Sequence, residues 1–147
     1  MASISVTSRP TGFSATSPVW LGRGLTGLFA LFMLGASISP KLLGMDVAGE
    51  TLAGLGWPVS FTLSIGLLEL GFLLLYLVPR TAVLGAVLMT ALLGGALAAN
   101  LRVGSPLFSH TLFSIYLGLA MWGGLWLRSP ALRALLPLRS EGGRHGA

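Results

Sequence analysis

The sequence predicts an all-α integral membrane protein, a four-helix bundle that forms one compact domain. Of its 147 residues, 54% are hydrophobic and only 9% are charged, and the mean hydropathy is +0.86. A soluble domain carries roughly 25% charged residues, so this surface is too apolar to face water on all sides. The apolar residues are also gathered into long runs that are bounded by charged residues, proline or glycine.

Four such runs cover approximately residues 22–43, 58–78, 81–101 and 108–127. At 1.5 Å per residue, a helix of this length spans roughly 30 Å, which is the thickness of the hydrocarbon core of a bilayer. Helices satisfy their backbone hydrogen bonds internally, so four transmembrane helices are expected. A long polar segment precedes the first run, and the run exceeds the core of a signal peptide, which favours an uncleaved signal-anchor.

The remaining segments complete the predicted organisation. Residues 1–18 are rich in Ser and Thr without apolar periodicity, which predicts a disordered cytoplasmic tail. Residues 19–138 hold the four-helix domain, and 139–147 form a basic cytoplasmic tail. The loop 45–57 is expected to contain a short interfacial helix.

The net charge of +5 comes from basic residues at the ends of the runs. They do not line a helix face with interleaved aromatics, so the bilayer, and no nucleic acid, is the expected partner. With the N-terminus inside, the inner segments hold seven basic residues and the outer ones two, which predicts that both termini are cytoplasmic. The seven are Arg9, Arg23, Arg80, Arg128, Arg133, Arg139 and Arg144, and the two are Lys41 and Arg102.

Motifs for soluble-enzyme chemistry and for metal binding are missing from the sequence. Without cysteine, thiolate chemistry and Cys-ligated clusters are excluded within this chain. The string GRGLTG at 22–27 matches a dinucleotide fingerprint by chance, since no strand precedes it. His110 and His145 fall on opposite sides of the predicted membrane and cannot share a metal. We therefore assign no catalytic residues and no metal site.

The apolar composition that a membrane-spanning helix needs does not account for Glu69. It lies near the middle of the run SIGLLELGFLLLYLVPR at 64–80. A charged group there costs ~2.5–3.5 kcal/mol on insertion scales, so it should face the bundle interior and have a partner. Residues seven apart share a helix face, which places Thr62, Glu69 and Tyr76 on one polar stripe.

Two interpretations of Glu69 stay open from sequence. It either joins helices through hydrogen bonds, or it lines a cavity and binds a ligand or exchanges protons with one. The ligand- or proton-binding candidates are Glu69, Thr62, Tyr76, His110 and Asn100. For His110 the alternative is a half-wet interfacial side chain. Facing polar groups at similar depth are Ser37, Thr90, Ser114 and Tyr116.

The third run carries small residues at four-residue spacing, among them Ala82, Ala86, Gly94 and Ala98. Small residues let helices approach closely in lipid, so this helix is expected to be the most buried. A face of small residues left over after packing would also suit a homo-oligomer.

The segment GLLELGFLLLYLVPRTAVLGAVLM (66–89), the loop GSPLFSH and the closing WLRSPALRALLPLR resemble the DoxX-like family across residues 22–138. The resemblance implies a small four-helix bacterial inner-membrane protein. The family name comes from a subunit linked to thiosulfate:quinone oxidoreduction, and related proteins are associated with membrane redox complexes. Glu69 matches the family's intramembrane glutamate. A quinone is implied by this resemblance alone, and electrons would have to come from a redox protein partner.

The leading hypothesis is an accessory or ligand-binding component of a membrane redox complex that is not an enzyme by itself. A structural assembly subunit and a small proton-coupled transporter are the alternatives. Transporter cores tend to use broken helices and repeated halves, and neither is evident in the sequence.

Overall fold

The computed structural model describes residues 16–136, and this part of the chain is helical without strands. The first helical segment is α1 (Thr16–Phe32), which continues through a π-helical segment (Met33–Ile38) into α2 (Ser39–Leu42). A short helix α3 (Asp46–Gly54) and a 3-10 turn (Val59–Phe61) lead into α4 (Thr62–Leu77). The chain continues through α5 (Ala82–Arg102), a second π-helical turn (Leu107–Thr111), α6 (Phe113–Arg128) and α7 (Pro130–Leu135).

Three continuous helical segments are long and apolar enough to cross a membrane: Pro18–Leu42, Val59–Leu77 and Ala82–Arg102. The fourth predicted run differs from expectation because Pro106 and a π-helical turn precede it, leaving an α-helix of only 16 residues. The described chain is therefore an all-helical membrane protein with three candidate spans, and the four-helix bundle stays a prediction.

The predicted boundaries at the chain ends are tested only in part. Thr16–Pro18 belong to α1 and not to a tail, as a proline in the first turn of a helix allows. The remainder of the predicted N-terminal tail and the basic tail at 139–147 lie outside the described residues. The loop 45–57 does contain a helix, α3, which begins after Gly44 (φ +65°) and is followed by Gly56 (φ +77°). Both glycines adopt left-handed conformations that other residues rarely take.

Glycine contacts hold the long helices together at one end of the molecule. α1 packs against α6, and α5 packs against both α4 and α6. A Cβ atom on Gly22 would lie 2.8 Å from the Arg128 backbone nitrogen, and one on Gly124 would lie 2.9 Å from Thr26 Oγ1. A Cβ on Gly85 would collide with the Tyr76 backbone. These positions set how closely the helices approach.

The core between these helices is built from long apolar side chains. Its most enclosed members are Met33, Ile38, Leu73, Met89 and Met121. Flexible methionine side chains fill the irregular space between crossing helices.

The expectation that the third run is the most buried helix is wrong. Its first half packs inward through Ala82, Gly85 and Ala86. The small residues of its second half, including Gly94 and Ala98, are exposed on the surface of the chain. α1–α2 is the more buried span, with 33% of its most apolar window inside, against 28% for α5. The spacing of small residues marks a face that can pack closely, but it does not say which neighbour packs there.

Replacing Gly85 by Ala tests the close contact between α4 and α5. The new methyl group would meet the Tyr76 backbone, which cannot move aside as a flexible side chain can. We expect Gly85→Ala to lower the free energy of unfolding in detergent by about 1–3 kcal/mol. The matched control is Gly94→Ala on the same helix, where a Cβ meets nothing within 4 Å. This control should be neutral or stabilising by up to about 1 kcal/mol, and equal loss in both variants would contradict the packing.

Candidate functional site

Glu69 lies on the buried face of α4. Thr62, Gly66, Glu69, Leu73 and Tyr76 are the buried residues of this helix, and they recur every three or four positions. The Glu69 side chain is only 6% exposed. The predicted stripe of Thr62, Glu69 and Tyr76 is therefore the inward-facing side of α4.

Glu69 meets two polar groups from the first helical segment. Ser37 Oγ donates to Glu69 Oε2 over 2.9 Å, and Lys41 Nζ lies 3.0 Å from both carboxylate oxygens. Lys41 Nζ also donates to Ser37 Oγ over 2.6 Å and to the Ser37 carbonyl oxygen over 3.2 Å. Ser37 is thus the facing group that contacts Glu69, and Lys41 joins it.

The local sequence explains why Ser37 and Lys41 arrive together. They are four residues apart, so they share one side of the helix. Pro40 lies between them and lacks an N–H for an intrahelical bond, and the preceding turns widen into the π-helical segment, in which the Ser39 N–H donates to the Leu34 carbonyl. Such π-helical insertions occur frequently at functional sites in proteins.

Gly66 makes room for the lysine on the opposite helix. A Cβ atom at this position would lie 2.8 Å from the Lys41 Cβ, so a larger residue would push Lys41 away. Gly66 is three residues before Glu69 on the same face of α4, and the Lys41 side chain runs along this face to the carboxylate. Glycine at 66 and lysine at 41 are therefore complementary in shape.

Hydrogen bonding in this network is complete. The ammonium group has three protons, which go to the Ser37 carbonyl, the Ser37 hydroxyl and the Glu69 carboxylate. The Ser37 hydroxyl donates a hydrogen bond to Glu69 Oε2, so each donor has an acceptor. An ammonium and a carboxylate cancel in net charge, which lowers the cost of placing either one in an apolar environment.

A cleft of about 560 Å³ opens beside Lys41. The first segment ends near Lys41, which contacts Gly66 on the second segment. Gly66 is seven residues after Val59, where the second segment begins, so the second segment extends roughly 10 Å beyond the end of the first. The cleft occupies this offset. α3 lies beside this gap and contributes Asp46 and Glu50 to its lining. The apolar lining residues are Leu42, Met45, Ala53, Val59 and Leu63, and the other polar ones are Lys41, Ser60 and Thr62.

The predicted site residues are not all gathered here. Thr62 lines the cleft, but its hydroxyl donates to the Val59 carbonyl. Tyr76 lies two turns beyond Glu69 and donates to the Met121 carbonyl over 2.9 Å. Asn100 donates to the Ala96 carbonyl of its own helix, and the exposed His110 pairs with Ser109 over 2.8 Å. These three residues take no part in the Glu69 network.

Among the other facing groups considered from sequence, none contacts Glu69. Thr90 accepts a hydrogen bond from Trp122 Nε1, Ser114 is buried on α6, and Tyr116 is half exposed. Glu69 itself is not among the residues that line the cleft, and the contact between the network and the cleft runs through Lys41.

A family model described as the DoxX-like family matches residues 24–124, which is well over half of the chain. The chain belongs to the DoxX-like family. Searches of curated proteins and of solved structures gave no match. The matched region contains Ser37, Lys41, Gly66 and Glu69, so the whole network lies within the DoxX-like part of the chain.

Sequence reasoning missed Lys41, which it treated as an outer-loop charge. One signal was available: Lys41 is the sole lysine of this DoxX-like sequence, beside eight arginines. Lysine and arginine serve equally well as topology determinants at the ends of membrane helices, so a single lysine among arginines points to a site with a geometric requirement.

A double-mutant cycle tests the ion pair in this DoxX-like protein. Removing one partner leaves the other charge buried and uncompensated, so Lys41→Gln or Glu69→Gln alone should each lower the free energy of unfolding by about 3 kcal/mol. The double variant should lose clearly less than the sum of the two, with thermal unfolding in detergent as the measurement. Additive losses would show that the two side chains do not interact.

Proposed function

We propose that this DoxX-like protein is an accessory component of a membrane redox complex that binds a quinone-like ligand in the cleft beside Lys41. The observation that carries the proposal is a lysine that is held by a buried carboxylate and lines a largely apolar cleft. On this proposal the chain has no catalytic centre of its own, and a redox protein partner supplies the electrons.

The residues of the cleft fit such a ligand. Ligand sites are typically clefts of roughly 300–1,000 Å³ with apolar walls and a few placed polar groups. The cleft has about 560 Å³, and Leu42, Met45 and Leu63 are among its apolar walls. Quinones are apolar rings with carbonyl oxygens that accept hydrogen bonds, and they carry two electrons and two protons. The Lys41 ammonium would donate to such an oxygen by exchanging its 3.2 Å bond to the Ser37 carbonyl.

In this proposal Glu69 and Ser37 position Lys41 and do not touch the ligand. Ionised donors form stronger hydrogen bonds than neutral ones, so keeping Lys41 charged benefits the binding of an acceptor. The carboxylate pairs with the ammonium group, and the serine hydroxyl fixes its direction. Asp46 and Glu50 at the rim would disfavour anionic ligands.

Loss of bound quinone tests this function. We expect organic extraction of the wild-type protein, purified in mild detergent and analysed by mass spectrometry, to yield near one quinone per chain. Lys41→Gln should lower the yield roughly tenfold, the effect of a lost hydrogen bond to a charged group. Glu69→Gln should lower it as well. Tyr76→Phe is the control, because Tyr76 lies on the same face of α4 but bonds to Met121.

The yields must be compared at a temperature at which all four proteins are folded. Equal trace amounts in all four proteins would overturn the ligand proposal. Glu69 would then serve to join helices, and the chain would fit the assembly-subunit alternative.

The topology that goes with this function has four spans in the bacterial inner membrane and both termini in the cytoplasm. The π-helical turn and α6 together run from Leu107 to Arg128, enough for roughly 30 Å. Arg80, Arg128 and Arg133 would then lie inside, and the cleft would open on the outer side.

Cysteine labelling tests the topology, since the chain has no native cysteine. Both Glu50 and Arg80 are exposed, on α3 and in the turn between α4 and α5. A membrane-impermeant maleimide should label Glu50→Cys in intact spheroplasts and label Arg80→Cys only after permeabilisation. The opposite pattern would invert the topology, and labelling of both in intact spheroplasts would contradict a span between them.

A further inference from the structure

Arginines gather at the end of the helices away from the cleft, which we call the arginine end and define by Arg23, Arg80 and Arg128. Arg23 lies in the first turns of α1, Arg80 in the turn between α4 and α5, and Arg128 at the end of α6. The carboxylates of the described chain lie elsewhere. Asp46 and Glu50 are on α3, and Glu69 is paired with Lys41. The arginine end therefore has no acidic partner within residues 16–136.

Arg128 is held in a defined position between helices. Its Nη2 donates to the Tyr76 carbonyl over 2.8 Å, and its guanidinium carbon lies 4.9 Å from the centre of the Tyr76 ring. Tyr76 is fully buried and is fixed in turn by Phe29, Thr26 and Met121. The guanidinium thus caps the carboxyl end of α4, where a cation is favourable.

The same guanidinium has an unmet requirement. Arg128 Nε is buried and has no hydrogen-bond partner among the described residues. A carbonyl dipole and an aromatic ring offset part of the cost of a half-buried cation, but they carry no opposite full charge. Lys41, the other inward cation, has a carboxylate. Arg128 therefore has no opposite full charge beside it among the described residues.

Arg23 and Arg80 are near in sequence to residues that contact Arg128. Arg23 follows Gly22, whose absent Cβ would lie 2.8 Å from the Arg128 backbone nitrogen. Arg80 is four residues after Tyr76, whose carbonyl Arg128 binds. Both are exposed. The three arginines thus lie at the same end of the helices, and guanidinium groups match phosphate oxygens in geometry.

Apolar side chains border the arginine end on the membrane side. Trp20 stacks against Arg23, with the guanidinium carbon 5.2 Å from the ring, and both Trp20 and Leu21 are exposed. Leu77 and Val78 are exposed beside Arg80. Basic pockets between helices at a membrane surface bind the headgroups of anionic lipids, and indole rings favour the headgroup layer. A free phosphate would use the arginines alone, whereas a phospholipid would use both groups of residues.

We propose that the arginine end binds an anionic phospholipid, whose phosphate is held by Arg23, Arg80 and Arg128 and whose acyl chains lie along the exposed apolar residues next to them. The bound phosphate compensates the Arg128 charge and so stabilises the contact of α6 with α4. This site is independent of the cleft beside Lys41 and does not rest on the quinone proposal.

Native mass spectrometry with defined lipids tests the site. Purified full-length protein in nonionic detergent is titrated with dioleoylphosphatidylglycerol or with dioleoylphosphatidylcholine, and the two apparent Kd values are compared. We expect the anionic lipid to bind more tightly. Each of Arg23→Gln and Arg80→Gln should lower this preference roughly fivefold, the contribution of one basic residue near an anionic surface.

Arg102→Gln is the matched control, since Arg102 is an exposed arginine at the opposite end of α5 that donates to the Leu55 carbonyl. It should keep the full preference, and inorganic phosphate in large excess should not displace the lipid. Arg23→Gln and Arg80→Gln change exposed side chains, so both variants should fold. They are sufficient for the test even if Arg128→Gln does not fold. Equal affinity for the two lipids, equal loss in Arg102→Gln, or displacement by free phosphate would each overturn the proposal.

Discussion

The ion pair between Lys41 and Glu69 is the interaction on which the arrangement of the first two helical segments depends. A carboxylate in the middle of a membrane-spanning segment is tolerated only with a partner, and the partner has to come from another helix. Lys41 reaches Glu69 because Gly66 lacks a side chain and because the first segment continues past Pro40 to Leu42. Ser37 then occupies the remaining donor and acceptor positions. The position of the first helical segment along the second therefore follows from the need of Glu69 for a partner of opposite charge.

The buried face of α4 divides into two polar networks at different depths. Glu69 bonds to the first segment near the cleft, whereas Tyr76 bonds to α1 and α6 at the arginine end. Between them Leu73 is enclosed by apolar core. The Tyr76 network is compact because Gly22, Gly85 and Gly124 allow backbone contact there. The Glu69 network is next to an open cleft, so the end with fewer close helix contacts is also the end that can admit a ligand.

Hydropathy and periodicity predicted much of this fold. The second and third apolar runs became helical segments close to their expected bounds, and the seven-residue spacing correctly placed Thr62, Glu69 and Tyr76 on a buried face. Ser37 was among the expected partners because it is a polar residue at a depth similar to that of Glu69. Lys41 was missed because hydropathy places a lysine after Pro40 at the end of a run, and the relative height of two helices cannot be read from either sequence alone. The burial of the small residues of α5 was predicted wrongly for a related reason. Their spacing shows that one face of the helix is smooth, but it does not show which helix packs against that face.

The Lys41 ammonium and the Arg128 guanidinium are both partly buried cations, and they are stabilised in two different ways. An ammonium on a flexible stem fits into the space over Gly66 and directs three protons to a serine and a carboxylate, which a planar guanidinium could not do in the same volume. A guanidinium stacks on the Tyr76 ring, caps a helix and still presents edges to an outside acceptor. Lys41 therefore has its counter-charge inside the fold, whereas Arg128 has a carbonyl and an aromatic ring beside it and no carboxylate among the described residues.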